Sequence, residues 1–229
     1  MKTKLIILAA LASTIASVLI SAAADWKETL TPPAEKFQSS GRNEYFILEP
    51  GYQLVLEGKE GGKKTVLTIT VLEETKKIGD VETRVVEERE VADGKLAELS
   101  RNYFAVGVTS SNVYYFGEDV DVYDEGKVTH EGSWQEGVGD AKHGLAVPAV
   151  NHKGDHYYQE RAPKVAMDRA ETLTTGETVT TPAGKFEHCL KVRETTPLES
   201  GTEYKLYAPG IGIVVDGDLK LVKAGFVKK

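Results

Sequence analysis

The chain has 229 residues, with 28 Lys and Arg against 35 Asp and Glu, and a single cysteine. This length corresponds to one ordinary domain, or at most two small ones, that buries enough surface to fold without disulfides or metal. The acidic balance argues against nucleic acid and anionic membrane surfaces as partners, because both need clustered Lys and Arg. We therefore expect neutral, cationic or apolar partners and no nucleic acid.

The first 24 residues have the three regions of a secretory signal peptide. Residues 1–4 are basic, residues 5–20 are apolar, and residues 22–24 are three alanines. The apolar run is shorter than the roughly 20 residues that a spanning helix needs. We expect cleavage near Ala24 and a periplasmic or extracellular protein. Since no cysteine stands at the cleavage site, we also expect no lipid attachment and no stable membrane anchor.

After the signal peptide, residues 25–42 predict an extended N-terminal arm and residues 43–229 predict one antiparallel β domain. The clearest strand places Leu67, Ile69 and Val71 on one face and threonines on the other, which is period two. Glycine-rich turn signals separate it from its neighbours. The first predicted strands are 52–58, 64–75, 81–91, 95–106, 113–123 and 127–131.

Residues 132–154 form the longest irregular segment after the arm, because glycines and a proline interrupt any period. Long loops in compact domains are often functional, so this segment is a candidate lid or binding loop. Strands then resume at 155–161, 165–173, 177–181, 185–195, 202–207, 211–216 and 219–226.

Strands longer than ten residues favour a curled sheet or barrel over an immunoglobulin-type sandwich. The sequence therefore predicts an all-β, single-domain antiparallel meander that forms a curled sheet or barrel-like structure, without a convincing amphipathic helix. Barrels of eight or more strands often enclose a cavity for one small ligand.

Aromatic residues near residues 132–154 are the candidate ligand-binding residues. Paired aromatics in a strand send one ring to each face, so one ring of each pair points inward. Such rings either line a cavity or fill the core. His188 joins them, because period two places it on the apolar face of its strand. The candidates are Tyr103, Tyr115, Phe116, Trp134, Tyr158 and His188.

Two features suggest a metal-binding protein as an alternative to one that binds a small apolar ligand. Four histidines, His130, His143, His152 and His156, fall within a short window, and imidazoles bind zinc or copper. In a strand, His152 and His156 lie about 13 Å apart, too far to share one ion without a bend. Solvated loop histidines are therefore the preferred interpretation, and no cofactor is expected.

The acidic segment 118–125 is the second such feature, because calcium binds clustered carboxylates. Tyr123 and Asp124 stand where an EF-hand loop needs an acidic ligand and a glycine. A half-buried strand with an acidic outer face is the preferred interpretation.

Catalytic motifs are weak. Ser133 lacks the G-x-S-x-G context of a nucleophile elbow. The many carboxylates guarantee candidate pairs for glycoside hydrolysis without singling one out. We expect a protein without catalytic activity and keep a hydrolase of envelope or extracellular polymer as an alternative.

Several landmarks resemble those of a family of secreted bacterial β-proteins of unassigned function. They are the segments 112–119 (NVYYFGED), 131–134 (EGSW), 182–186 (PAGKF), 189–191 (CLK) and 207–212 (YAPGIG). The resemblance spans residues 45–226 and implies no activity. The second half is also loosely similar to periplasmic lipoprotein-carrier folds, which are curled sheets whose concave face holds acyl chains.

Cys189 has two competing interpretations. Period two sends it outward, where a lone thiol in an oxidising compartment would be reactive. Free cysteines are among the most buried residue types, which favours a thiol covered by another part of the chain.

The sequence thus favours a secreted, non-catalytic β-protein that binds an apolar or amphipathic small ligand under residues 132–154, or that serves as an envelope component. It does not give the oligomeric state.

Overall fold

A computed structural model describes residues 26, 27, 32, 34–124 and 126–227. The predicted signal peptide, and most of residues 25–33, lie outside the described residues. In the described part of the chain, all helices and strands assigned are β-strands. None of these residues forms a helix of the length and hydropathy needed to cross a bilayer.

The strands run in chain order as follows: β1 (Phe37–Gln38), β2 (Gly41–Arg42), β3 (Ile47–Leu48), β4 (Tyr52–Glu60), β5 (Lys63–Ile78), β6 (Val81–Ala92), β7 (Lys95–Gly107), β8 (Val113–Asp124), β9 (Lys127–Thr129), β10 (Trp134–Gln135), β11 (Lys142–Val147), β12 (His156–Tyr158), β13 (Glu160–Arg161), β14 (Arg169–Thr181), β15 (Gly184–Thr195), β16 (Glu203–Ala208), β17 (Gly212–Asp216) and β18 (Leu219–Phe226).

Two antiparallel meanders make up most of the sheet. β4 to β8 pair in sequence order, and so do β14 to β18. β18 then pairs with β4, where Leu221 lies opposite Leu56, and this pairing joins the two meanders. Turns such as Gly61-Gly62 connect long hairpins, because glycine adopts the positive φ that these tight turns require. The predicted antiparallel, barrel-like meander is confirmed.

The sheet is nearly closed by one short segment, residues 156–161. Its first half, β12, pairs with β14 at one end of the sheet, with Tyr157 opposite Ala170. Its second half, β13, pairs with β11 at the other end, with Arg161 opposite Lys142. Closure removes most of the unpaired strand edge that an open sheet of this size exposes.

Close approach of two backbones makes this closure possible. A Cβ atom on Gly144 would lie 2.1 Å from the carbonyl oxygen of Gln159. Only glycine fits there without moving one of the two strands.

The prediction that residues 132–154 are irregular is wrong for part of the segment. β10 and β11 lie within it, and both pair with β8. Residues 144–147 are all buried, so they form a wall of the barrel. The glycines that hide the strand period in the sequence permit close backbone contact in the fold.

The second strand prediction that differs concerns residues 165–181. The sequence predicts two strands, whereas β14 runs without a break from Arg169 to Thr181. Register shifts against β15 accommodate Gly176 within this strand.

The N-terminal β1 covers the outer face of β8. Phe37 packs edge-on against Tyr114 and Phe116, with ring centroids 5.3 and 5.2 Å apart. The Glu35 carboxylate accepts hydrogen bonds from the backbone N–H groups of Thr109 and Ser110. The first part of β8, residues 113–117, is therefore buried on both faces, with Tyr115 on the inside of the barrel.

We predict that Gly144→Ala lowers the free energy of unfolding by about 3 kcal/mol, because the added methyl group overlaps backbone atoms at the closure. Gly176→Ala is the matched control, because Gly176 also lies within a strand. A Cβ atom added there would lie 3.9 Å from the nearest atom, Thr174 Oγ1. Urea unfolding measures both variants. Equal stability of the two would contradict this account of the closure.

Candidate functional site

The interior of the barrel contains a cavity of about 400 Å³. This volume lies in the range of small-molecule sites, roughly 300 to 1,000 Å³. Residues of β3 to β8, β11, β13 and β15 to β17, together with neighbouring loop residues, form its walls. Small residues, Ser100, Ala146 and Gly212, leave space where larger side chains would complete a packed core.

One part of the cavity is apolar. Its side chains are Phe46, Ile47, Tyr52, Leu54, Ile69, Val71, Val86, Phe104, Ala146, Val147, Ile211 and Ile213. The Tyr52 hydroxyl donates to the Ile211 carbonyl at 2.9 Å, which satisfies its polar end. The Asn43 amide nitrogen donates to the Val147 carbonyl at 3.0 Å and holds the segment before β3 against β11.

The other part is strongly acidic. Seven carboxyl side chains line the cavity: Glu88, Glu98, Glu118, Glu160, Asp168, Glu194 and Asp216. Ser100, Asn102, Gln159 and Lys205 also contribute polar side chains to this part of the lining.

Strand register explains why the two parts are separate. Val71 of β5 pairs with Val86 of β6. Two residues along each strand, Ile69 of β5 pairs with Glu88 of β6. Glu88 in turn lies opposite Ser100 of β7. Because residues two apart share a face, the inner side of these strands changes from apolar to acidic along the barrel.

Among the residues that the structure describes, Lys205 is the only basic one that lines this cavity. Its Nζ lies 3.1 Å from Glu194 Oε2 and 3.5 Å from Asp216 Oδ1. Burial acts to lower the pKa of Lys205, but the charges of Asp216 and Glu194 outweigh it and hold that pKa well above its usual range. Lys205 therefore stays charged and forms ion pairs with both carboxylates.

The remaining carboxyls are hard to ionise. Burial, reinforced by Asp216, Glu98 and Glu194 against the opposing charge of Lys205, raises the pKa of Glu88 to about 7. Burial and the charges of Glu88 and Glu98 raise the pKa of Glu118 to about 7, although the neighbouring Tyr115 hydroxyl opposes the shift.

The pKa of Glu160 is raised as well. Burial and then the charges of Glu118 and Asp168 raise its pKa well above the usual range. Groups with such shifts concentrate at functional sites, because folding alone gains nothing from burying several like charges together.

A second, smaller space of about 280 Å³ adjoins the acidic part. It shares Glu88, Glu98, Lys205 and Asp216 with the main cavity, and it adds Glu60, Glu90 and Glu203. Burial raises the pKa of each of these three added carboxyls as well. The negative character thus continues beyond the main cavity.

Of the six predicted ligand-binding residues, Tyr115 lines the cavity. Its ring stacks on Phe104 at 4.6 Å, and its hydroxyl donates to the Asn102 side-chain oxygen. Trp134 lies behind it, edge-on at 5.4 Å, and does not line the cavity.

Three other predicted aromatics lie away from the cavity. Tyr103 bonds Asp119 and lies under the Lys76 ammonium, while its neighbour Phe104 faces inward. Phe116 packs under β1, with its ring stacked on His143 at 4.9 Å. The Tyr158 ring packs against Trp26, with ring centroids 6.3 Å apart. Their ligand-binding roles stay predictions.

The predicted inward position of His188 is wrong. His188 has a φ of 56° and an exposed side chain, because a register irregularity in β15 shifts the period by one residue. The same shift turns Cys189 inward, where it is fully buried. Burial raises the pKa of its thiol, so the prediction of a covered, structural cysteine is confirmed.

The four loop histidines have separate acidic partners. His130 Nδ1 lies 2.8 Å from Asp121, His143 Nδ1 lies 2.9 Å from Glu136, His152 Nδ1 lies 3.5 Å from Asp155, and His156 Nε2 lies 3.9 Å from Glu171. Among the residues that the structure describes, no group of three His, Cys, Asp or Glu side chains is arranged to hold a metal ion.

Residue 125 of the acidic segment 118–125 lies outside the described residues, and residues 118–124 are split between two faces of β8. Glu118 points into the cavity, whereas Asp119 points out and bonds Lys76 at 3.1 Å. Burial acts to raise the pKa of Asp119, but hydrogen bonds from Tyr103 and Lys76 lower it overall.

Sequence reasoning missed the acidic half of the site. Glu88 and Glu90 alternate with Glu87 and Arg89, so period two already places two glutamates on the face of Val86. That signal was available. No sequence pattern, however, connects them with Glu160, Asp168 and Glu194, which only closure of the barrel brings near.

No protein-family model matches the chain, and no curated protein matches it. One solved structure is similar, a candidate lipoprotein from Parabacteroides distasonis ATCC 8503, with 14% sequence identity and a TM-score of 0.40 over 81% of this chain and 100% of that one. The resemblances to secreted β-proteins and to lipoprotein carriers stay predictions.

We predict that Glu118→Gln removes part of a pH dependence of stability. The folded pKa of Glu118 is about 7 against an ordinary 4.5. Its contribution is therefore fully present below pH 4.5 and is lost as the pH rises through about 7. The variant should match the wild type at pH 5 and exceed it by about 2 kcal/mol at pH 8.

Urea unfolding at both pH values measures this difference. The control is Glu57→Gln on the exposed face of β4, which should keep the wild-type pH dependence. A Glu118→Gln protein that loses stability between pH 5 and 8 as steeply as the wild type would contradict the prediction.

Proposed function

We propose that this protein is exported and binds an apolar or amphipathic small molecule inside its barrel, without catalysing a reaction on it. The observation that carries the proposal is the 400 Å³ cavity with its apolar and polar parts side by side. An amphipathic molecule complements such a cavity, because it buries its chain and keeps its polar group solvated or hydrogen-bonded.

The lining supports binding better than a purely structural role. A barrel interior that serves stability alone is filled by side chains. Here Ser100 and Ala146 leave space beside large rings such as Phe46 and Phe104. The apolar surface of these rings gains free energy when a ligand displaces water from it.

Export rests on the N-terminal sequence. A basic start, an apolar run and three alanines are typical of a secretory signal peptide. The absence of a cysteine at the expected cleavage site favours a free protein in the periplasm or outside the cell. A carrier or scavenger of small molecules suits either compartment.

We predict that the uncharged fluorophore N-phenyl-1-naphthylamine binds the protein with increased emission, and that 1-octanol displaces it. Ile69→Trp should abolish the signal, because Ile69 lines the cavity and the larger ring occupies it. Thr68→Trp adds the same ring to the opposite face of β5 and should bind like the wild type.

Fluorescence titration gives the affinities, and circular dichroism confirms that both variants are folded. Retained binding in a folded Ile69→Trp protein would place the probe elsewhere and contradict the proposal.

A further inference from the structure

We propose that the natural ligand carries a primary ammonium group beside its apolar chain, and that the acidic part of the cavity binds this group. The inference rests on the proposed function and adds the chemical class of the ligand. It starts from the balance of charge in the cavity, from the hydrogen-bonding state of its carboxyls, and from the apolar surface next to them.

When the carboxyls that line the cavity are ionised, their negative charge exceeds the positive charge of the lining side chains. Lys205 bridges Glu194 and Asp216. The five other lining carboxyls, Glu88, Glu98, Glu118, Glu160 and Asp168, have no Lys or Arg within ion-pair distance among the described residues. A bound cation supplies the missing positive charge.

Glu88 and Glu160 are among the carboxyls that also lack hydrogen bonds. Both are half-buried, and in the described part of the chain neither side chain has a hydrogen bond or an ion pair. Both line the cavity, so the cavity is the direction from which a donor can reach them. A partly desolvated carboxyl without a partner is costly, and a ligand that donates to it reduces this cost.

A third acceptor points to the same chemistry. Gln159, between β12 and β13, donates through Nε2 to Glu194 at 2.9 Å, while its Oε1 is buried without a partner. The acidic part therefore offers unsatisfied acceptors. An ammonium group has three N–H donors and no acceptor, which complements this surface.

The neighbouring apolar part selects an organic cation. Ile69 is two residues from Leu67 on β5 and lies opposite Glu88 in register, so the apolar wall begins where the carboxyls end. A molecule with an ammonium at one end of an aliphatic chain fills both parts at once. The carboxyls Glu60, Glu90 and Glu203 in the adjoining space extend the negative potential that attracts such a cation.

Binding should therefore depend on pH. Two polar side chains lie beside Glu118: Tyr115 on its own strand and Asn102 on the adjacent strand. The carboxyls that face it are Glu88 on β6, Glu98 on β7, and Glu160 and Asp168 across the closure. Within the described part of the chain, Lys205 is the one cation that lines the cavity, and it pairs with Glu194 and Asp216. An ammonium binds the ionised carboxyls, so its affinity should rise as the pH increases from 6 to 8.

The experiment compares three ligands of equal chain length by isothermal titration calorimetry with the full mature protein at pH 8. Octylamine should bind at least about tenfold more tightly than 1-octanol, because charge-assisted hydrogen bonds add to the shared chain burial. Octanoate should bind more weakly than either. Between pH 8 and pH 6 the octylamine affinity should fall while the octanol affinity stays constant.

Variants assign the effect to the acidic part. Glu160→Gln and Glu118→Gln should each reduce the octylamine affinity about tenfold and leave 1-octanol unchanged. Glu57→Gln, on the exposed face of β4, removes the same charge outside the barrel and should change neither. The double variant Glu88→Gln/Glu160→Gln provides a second test if one single variant does not fold.

The outcomes separate this inference from the proposed function. Binding of 1-octanol as tight as that of octylamine, or a preference for octanoate, would overturn the ammonium assignment and leave the cavity as a general apolar site. An amine preference that survives every cavity variant would also overturn it. Failure of all three ligands and of the fluorophore would reject the proposed function itself.

Discussion

Closure of the sheet is the constraint on which the rest of this structure depends. Residues 156–161 pair with β14 on one side and with β11 on the other, and they do so only because Gly144 lets the backbone at Gln159 approach. Without that contact the two meanders would form an open, curled sheet with a solvent-filled concave face. With it, the concave face becomes an interior in which carboxyls are desolvated and pKa values move.

The interior shows a conflict between stability and a binding site. Lys205 pairs with Glu194 and Asp216, whereas Glu88 and Glu160 gain no ion pair or hydrogen bond from the described residues. Their raised pKa values show that folding is opposed by their ionisation. The apolar walls, with Leu54, Leu56 and Leu67 among the buried residues, supply the stabilisation that tolerates this cost.

Period two in the sequence predicts most of the fold. The alternation around Leu67 gives β5, and turn glycines such as Gly61 and Gly79 give the hairpins of the first meander. The same rule fails where the period is interrupted. It places His188 inside because the local sequence carries no sign of the irregularity in β15, and it takes Gly144 for a loop residue because a glycine that permits close contact looks like one that ends a strand.

The sequence by itself determined the antiparallel meander, the burial preference of Cys189 and Tyr115 as an inward ring, since each follows from local alternation or residue type. Tertiary structure alone decided the acidic site. Glu88, Glu118 and Glu160 are far apart along the chain, and their mutual repulsion and shared desolvation exist only after β13 reaches β11. Electrostatic coupling between carboxyls depends on their distance in space. Long-range strand pairing decides that distance, and alternation along one strand does not encode it.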